Sequence, residues 1–372
     1  MARRWLKNAA VASRNEMAQT LYWFLTYVTE FIVVDVDTAG NWPRLAYGTN
    51  AILDAALPFT FRTPVTDPYL FTAADIGRKI AIRDEVTTLN SGVYTVSAIV
   101  DSHTVHLATP GANFAGYNGN AQWVLFDPAS APPDDAYFVI QSPVTDNPWQ
   151  ARVIPNATIH PIAGLSVEMG AWGGWNAGTG LWGLPVTSSV VIPNISGTMF
   201  CVADEQLGAF FNWVEDGAGD RNGIYCGQMA ALHSPAGAGV PKDSAPSALL
   251  GSNTVNTNAL NRLLTGGFAS NGQISLPDNS GYATAYLHQW ERTVDDVDPF
   301  TIAAGMADPR STQIDAYQFL VYQTTPVVSL RGIMPLIYML NDAVPNRTLV
   351  NSGLVYGIQD GIGCEWDGST PF

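Results

Sequence analysis

The sequence predicts a mainly β (α+β) fold, in which an N-terminal helix is followed by short-strand β domains of sandwich or barrel type. Two observations lead to this prediction. Apolar residues follow a single helical stripe only near the start of the chain. After about residue 40 the chain consists of short alternating runs, separated by turns rich in Gly and Pro.

The helix is expected over about residues 9–34. Its apolar stripe consists of Met17, Leu21, Phe24, Leu25, Val28 and Ile32. The large aromatic residues Tyr22, Trp23 and Tyr27 lie off this stripe. We therefore expect other parts of the protein to contact the helix on more than one side.

Strands are expected where short runs of alternating residues lie between turns. These segments are residues 79–82, 94–100, 105–107, 137–140, 149–154, 189–192, 197–203 and 285–290. Residues 217–220 are typical of a hairpin tip, because they combine Gly and Asp between two strand-like runs. A loop-rich insertion is expected near residues 233–258, and a short helix over residues 258–264.

These elements suggest three parts of the chain. Residues 1–69 hold the N-terminal helix and the start of the main β domain, residues 70–127 form a small β module, and residues 128–372 complete the main β domain. At 372 residues the chain is long enough for two or three domains with cores of their own.

The composition favours a subunit of a large assembly. Only 13% of the residues are charged, against about 25% in soluble proteins generally. Aromatic residues reach 11%, including 11 Trp. Interface cores favour aromatic residues and exclude Lys and Glu, so a chain covered by neighbouring subunits needs fewer surface charges.

The net charge of −15 argues against a nucleic-acid groove over the whole protein. The start of the chain is nevertheless basic, with Arg3, Arg4, Lys7 and Arg14 before the first acidic residue, Glu16. This segment either solvates the start of a helix or contacts acidic neighbours, nucleic acid or a membrane surface. Nucleic acid is expected as a partner only through this segment.

Neither an export signal nor a membrane span is expected, because the apolar stretches near the N-terminus are too short. The three cysteines, Cys201, Cys226 and Cys364, contain no CxxC pair. Reduced, buried thiols are expected for a chain made in a cytoplasm, and a Cys201–Cys226 disulfide is the alternative.

No catalytic residue, cofactor site or metal site is predicted. His103 and His106 are expected on opposite faces of a strand, and His160, His233 and His288 have no ligand pattern around them. The acidic run at residues 295–298 lacks EF-hand spacing, so a solvated turn is expected there, with calcium binding as the alternative. Neither a GxSxG motif nor a P-loop is present.

Tryptophans supply most of the candidate contact residues. Trp172, Trp175 and Trp182 lie in the glycine-rich segment 170–182, where we expect the rings to anchor an interface; carbohydrate contact and core packing are the alternatives. Trp366, between two acidic residues, is also compatible with sugar stacking, although a glycosidase needs two carboxylates at a defined separation. The complete set of interface candidates is Trp23, Trp172, Trp175, Trp182, Arg331 and Trp366.

Three parts of the chain resemble structural proteins of tailed bacteriophages. The first is FTAADIGRKIAI (residues 71–82) followed by NSGVYTVSAIVDSHTV (residues 90–105), which is similar to a small β module of phage tail and baseplate proteins. The second is the opening helix, which leads into a short apolar strand and a Trp-Pro turn. The third combines segments 199–204 and 225–228 with the late RGIMP segment that begins at Arg331.

The resemblance implies a non-enzymatic virion protein of the tail or baseplate, assembled in the host cytoplasm. Its expected partners are other virion proteins and copies of itself. The competing functions are a tail protein that binds or cleaves a host surface glycan, and a head-proximal connector or decoration protein. Physical reasoning also accounts for parts of these motifs, because Gly77 and Gly92 suit turns with positive φ and Asp75 favours turn hydrogen bonds.

Overall fold

The computed structural model describes residues 3–37, 42–54, 59–85, 90–108, 117–144, 148–156, 163–171, 174–183, 190–193, 196–205, 208–216, 221–228, 230–231, 247–251, 272–275, 282–293, 312–323, 329–342 and 358–359. Within these residues the protein is mainly β, with one α-helix near the N-terminus and a closed six-stranded barrel, as the sequence predicted.

The chain opens with a strand where the helix was expected to begin. Strand β1 (Arg3–Val11) pairs with β15 (Gly197–Asp204), so three of the four basic residues lie on a strand, and only Arg14 lies at the start of the helix. Helix α1 (Arg14–Trp23) begins after Ser13, whose side chain accepts from Glu16 N–H, and it continues as a π-helical turn, Phe24–Val28.

The helical segment ends before Ile32, which lies in strand β2 (Ile32–Val36) and is exposed. The other five residues of the predicted stripe are fully buried, and Trp23 is buried as well. Tyr22 and Tyr27 are half-buried against the same core. The expectation that the helix is contacted on more than one side is therefore confirmed.

The barrel contains the predicted strands at residues 79–82, 94–100 and 105–107. Its strands are β3 (Ala46–Asp54), β4 (Thr60–Arg62), β5 (Lys79–Arg83), β6 (Gly92–Asp101), β7 (Thr104–Leu107) and β8 (Tyr117–Phe126), closed in the order β3-β4-β7-β6-β5-β8. It begins at Ala46 rather than at residue 70, because β3 and β4 are needed to close it.

Strand β5 is buried on both faces. Ile80 and Ile82 point into the barrel, whereas Lys79 and Ala81 face the helical segment. Inside the barrel, Trp123 packs edge-on against Phe61, with a ring separation of 5.6 Å. A Cβ at Gly48 would lie 2.7 Å from Nε1 of Trp123, which explains the glycine at that position.

The DIGR turn before β5 closes one rim of the barrel. The buried carboxylate of Asp75 accepts from Thr72 N–H and from the Tyr69 hydroxyl, each at 2.7 Å, and pairs with Arg78. Gly77 has a φ of +89°, as its place in the turn predicted. Gly92 instead begins strand β6 and is not among the described residues with positive φ.

A five-stranded sheet packs against the helical segment. It contains β2, β9 (Phe138–Gln141), β10 (Trp149–Asn156), β11 (Gly164–Ala171) and β14 (Val190–Pro193), in the order β14-β11-β10-β9-β2. The core beneath it combines side chains of the N-terminal segment with side chains from the later sheets. A short hairpin, β12 (Trp175–Asn176) and β13 (Leu181–Trp182), lies beside this sheet.

The largest sheet joins the first strand to the later part of the chain. After β15 come β16 (Ala209–Asp216), β17 (Arg221–Gln228), β18 (Ala230–Ala231), β19 (Ser247–Gly251), β20 (Gly272–Ser275), β21 (Tyr282–Thr293), β22 (Thr312–Gln323), β23 (Ser329–Asp342) and β24 (Ile358–Gln359). The order is β1-β15-β16-β17-β19-β20-β21-β22-β23-β18, with β24 on β23. Strand β18 follows β17 directly along the chain and pairs with β23. The strands from β17 to β23 therefore bring β23 back close to the end of β17.

This sheet confirms the predicted strands at residues 197–203 and 285–290, and β16 pairs with β17 across the predicted hairpin. The insertion predicted at residues 233–258 contains a strand, since the apolar residues of β19 pair with β17. The helix predicted over residues 258–264 lies outside the described residues.

Candidate functional site

The tryptophan-rich segment forms the β12–β13 hairpin. Trp175 and Trp182 are paired across it, with their rings 5.1 Å apart and nearly perpendicular. Trp175 is only 7% exposed, while Trp182 is half-buried and the neighbouring Leu181 is largely exposed. A Cβ at Gly170 would lie 2.4 Å from the Trp182 ring, so this glycine lets the hairpin lie close to β11.

Two carboxylates hold the tryptophan rings. The Trp175 indole N–H donates to Asp35 Oδ2 at 2.8 Å, and the Tyr137 hydroxyl donates to the same oxygen at 3.1 Å. The Trp182 indole N–H donates to Glu168 Oε2 at 3.0 Å. Both rings are therefore fixed to strands of the five-stranded sheet by hydrogen bonds to charged acceptors.

Arg152 completes this network from β10. Its guanidinium forms hydrogen bonds to both carboxylate oxygens of Glu168, and it lies 5.4 Å from the centre of the Trp175 ring. Burial, followed by the charge of Asp35, raises the pKa of Tyr137. With both acids engaged by neighbouring side chains, the arrangement is suited to fixing the hairpin on the sheet.

The interface candidates therefore differ in their burial and in their place in the fold. Trp23 and Trp175 pack inside this chain, so their rings are not presented for docking. Arg331 lies in β23 at a register shift, between the paired residues Leu330 and Gly332. Strand β23 runs without interruption through this RGIMP segment. Trp172 and Trp366 lie outside the described residues.

A buried ion pair joins the barrel to the N-terminal segment. Lys79 is 2% exposed, and its Nζ lies 2.9 Å from Glu16 Oε1, 2.7 Å from the Ala10 carbonyl oxygen and 3.0 Å from Thr20 Oγ1. Burial lowers the pKa of Lys79, and the carboxylate of Glu16 opposes that effect. Sequence reasoning missed this contact. The signal was present, because the chain has only three lysines and one of them, Lys79, directly precedes the apolar residues 80–82.

The basic lead is partly neutralised within the chain. The guanidinium of Arg14 donates to both oxygens of Asp134, at 2.8 and 2.7 Å. Beside this pair lies an open cleft of about 840 Å³, between the start of α1, the DIGR turn and the segment 127–134. Small apolar residues and prolines form much of its lining, and the exposed Ile76 lies at its edge.

No group of three or more metal-ligating side chains occurs among the described residues. His103 lies in the turn before β7, rather than on the strand with His106. Only the backbone of His288 is described, in β21. His160, His233 and the acidic residues 295–298, 365 and 367 lie outside the described part.

Cys201 and Cys226 form no disulfide and are fully buried thiols, as expected, and burial raises the pKa of each. They lie on β15 and β17, which are separated by β16. Cys364 lies outside the described residues.

The described surface exposes nine large apolar side chains. Four of them lie on or next to barrel strands β3 and β4, and two lie on the edge strand β2. The full set is Ile32, Val33, Leu45, Tyr47, Val65, Leu70, Ile76, Val100 and Leu181. Val65 is the most exposed, at 83%. Of these residues, Ile32 was expected on the apolar stripe of the helix, and it lies instead on the edge strand β2.

The chain matches no protein-family model and no curated protein. Within the described part, the helices are too short and too polar to cross a membrane.

Proposed function

We propose that this chain is a non-enzymatic structural subunit of a tailed-phage virion, in the tail or baseplate, which acts through contacts between subunits. The observation that carries the proposal is the set of nine exposed apolar side chains on a chain with only 13% charged residues. Single exposed apolar residues are common on soluble proteins, but a surface that is also poor in charge is typical of interfaces.

The position of the exposed residues supports contacts made by the barrel. Leu45, Tyr47, Val65 and Leu70 all belong to the barrel or to its β4–β5 connection. The tryptophans of the hairpin form hydrogen bonds within this chain, so we assign the docking role expected for them to these four residues. The barrel is thus held by its inner side to the body and offers its outer side to a neighbour.

The sequence resemblance and the cysteines support the same proposal. The stretch similar to a phage tail module supplies strands β5, β6 and the start of β7. Buried thiols that form no disulfide suit a protein assembled in the reducing cytoplasm of a host cell.

Cryo-electron microscopy of purified virions, together with mass spectrometry of their proteins, tests the proposal. We expect the chain in the particle, with density for the barrel in the tail or baseplate and its outer side against a neighbouring subunit. Absence of the chain from the particle would overturn the proposal. Density at the head or neck would favour a connector, and saccharide binding by the soluble chain on a glycan array would favour receptor binding.

A further inference from the structure

Exposed and half-buried side chains lie at the start of the first barrel strand, on the helical segment and on the edge strand β2, and together they are called the strip here. At the barrel end, the guanidinium of the exposed Arg44 lies 4.0 Å above the ring of Tyr47, which is 61% exposed. The neighbouring Leu45 is also exposed. This end therefore combines apolar area with one positive charge.

The middle of the strip is formed by tyrosines of the helical segment. Burial raises the pKa of Tyr27 to about 12, while the charges of Arg83 and Arg44 act against that rise. The half-buried Tyr22 stacks on Trp42, two residues before Arg44, with ring centroids 4.8 Å apart. Arg44 acts on the hydroxyl of the neighbouring Tyr22 in the same way.

The other end of the strip is acidic and apolar. Nη2 of Arg83 lies 3.7 Å from Oε1 of Glu30, whose side chain is 44% exposed. Glu30 precedes Ile32 and Val33, which are exposed on the outer strand of the five-stranded sheet. Apolar area is thus found at both ends, with opposite charges beside it.

Arg44 has no ion-pair partner among the described residues, and its guanidinium lies over the Tyr47 ring instead. Among the described residues, the carboxylate of Glu30 has only the long contact to Arg83, which also pairs with Glu85. Exposed charges with little compensation inside the chain are free to pair across an interface, where complementary potentials set the register.

We infer that this strip is a self-complementary docking surface for a second copy of the chain, in which the Arg44–Tyr47 end of each copy contacts the Glu30–Val33 end of the other. The charge pattern selects this occupant, because the chain itself carries the acidic, apolar counterpart of the Arg44 end. Arginine and tyrosine are also enriched among the residues that dominate interface energies. The inference deepens the proposed function by naming one of its subunit contacts.

Sedimentation velocity of the full-length chain tests the inference. We expect the wild-type chain to self-associate and Arg44→Glu to weaken the association at least about tenfold, because like charges would then face each other. Arg62→Glu is the matched control, since Arg62 is exposed on barrel strand β4, away from the strip, and the charge change is identical. Circular dichroism checks that each variant is folded.

Mixing two variants distinguishes this geometry from a general charge effect. Arg44→Glu and Glu30→Arg should each fail to self-associate, but together they should form a mixed complex, because both contacts become attractive again. A monomeric wild-type chain, equal effects of Arg44→Glu and Arg62→Glu, or no rescue on mixing would overturn the inference. Virion proteomics decides the proposed function separately, since a chain can be present in the particle without this contact, or make this contact without being in the particle.

Discussion

The barrel interior and the hairpin-covered side of the five-stranded sheet both bury tryptophan, but they do so by different means. Trp123 fills the barrel among Phe61, Phe71 and Tyr69, and its Nε1 has no hydrogen-bond partner among the described residues. Trp175 is fixed by a hydrogen bond to Asp35 beneath Arg152. Trp123 is held in place by the shape of the packed rings around it, whereas Trp175 is held by charge and by the direction of its hydrogen bond.

The largest effect is expected from Trp123→Ala. It should lower the free energy of unfolding by about 3–5 kcal/mol, because it removes the central ring of the barrel and leaves a cavity. Denaturant unfolding measures this loss. Trp182→Ala is the control at a half-buried position, and an equal loss there would contradict the distinction between the two regions.

Lys79→Met tests the junction that joins the barrel to the body. It leaves the carboxylate of Glu16 without its ammonium partner, and should cost about 3 kcal/mol in the free energy of unfolding. The double variant Glu16→Gln, Lys79→Met should recover much of that loss in the same assay. No recovery would show that Glu16 is not the main partner of Lys79.

Acid should destabilise the barrel rim through Asp75. Burial alone would raise the pKa of Asp75, but hydrogen bonds from Thr72, Tyr69 and Arg78 more than offset it and hold the pKa below its usual value. The folded state therefore binds the proton less readily than the unfolded state. The stabilisation is complete above the unfolded pKa of about 4 and is lost as the pH falls through the lower folded pKa.

Asp75→Asn should remove that stabilisation, about 2 kcal/mol at neutral pH, and flatten part of the acid dependence of unfolding. Urea melts of both proteins between pH 7 and pH 3 measure the difference. The same acid slope in wild type and variant would contradict the assignment to Asp75.

The smallest effect is expected from Trp175→Phe. The ring still packs against Tyr137 and Trp182, but the donor to Asp35 is lost, which should cost about 1–2 kcal/mol. Trp23→Phe is the matched control, because the Nε1 of Trp23 has no hydrogen-bond partner among the described residues. A larger loss for Trp23→Phe in thermal unfolding would show that ring shape, and not the hydrogen bond, determines the stability of both sites.

Secondary-structure elements marked by alternation or by turn residues were predicted from the sequence. Strands whose only mark is pairing with a strand far away along the chain were missed. Alternation identified β5, β6 and β7, and the turn chemistry of Asp75 and Gly77 was as expected. Strand β1 was missed, and its last three residues were predicted as the start of the helix, because its pairing with β15 has no local signal. The barrel strands β3 and β4 were missed for the same reason.

Contact residues were harder to predict than strands. Composition indicates that tryptophan matters, but only the fold shows that Trp175 packs inward while Tyr47 faces outward. The Lys79–Glu16 pair and the Arg44–Tyr47 stack also depend on tertiary placement, which residue spacing does not encode.

The pairing of β1 with β15 also sets the order in which the molecule is able to fold. Leu6 lies opposite Cys201, so the first strand must wait during synthesis until the chain has been made past residue 204. The barrel strands all lie between Ala46 and Phe126, and their contacts are closer along the chain. All six barrel strands are synthesised before β15, so the barrel is able to form while β1 still lacks its partner strand.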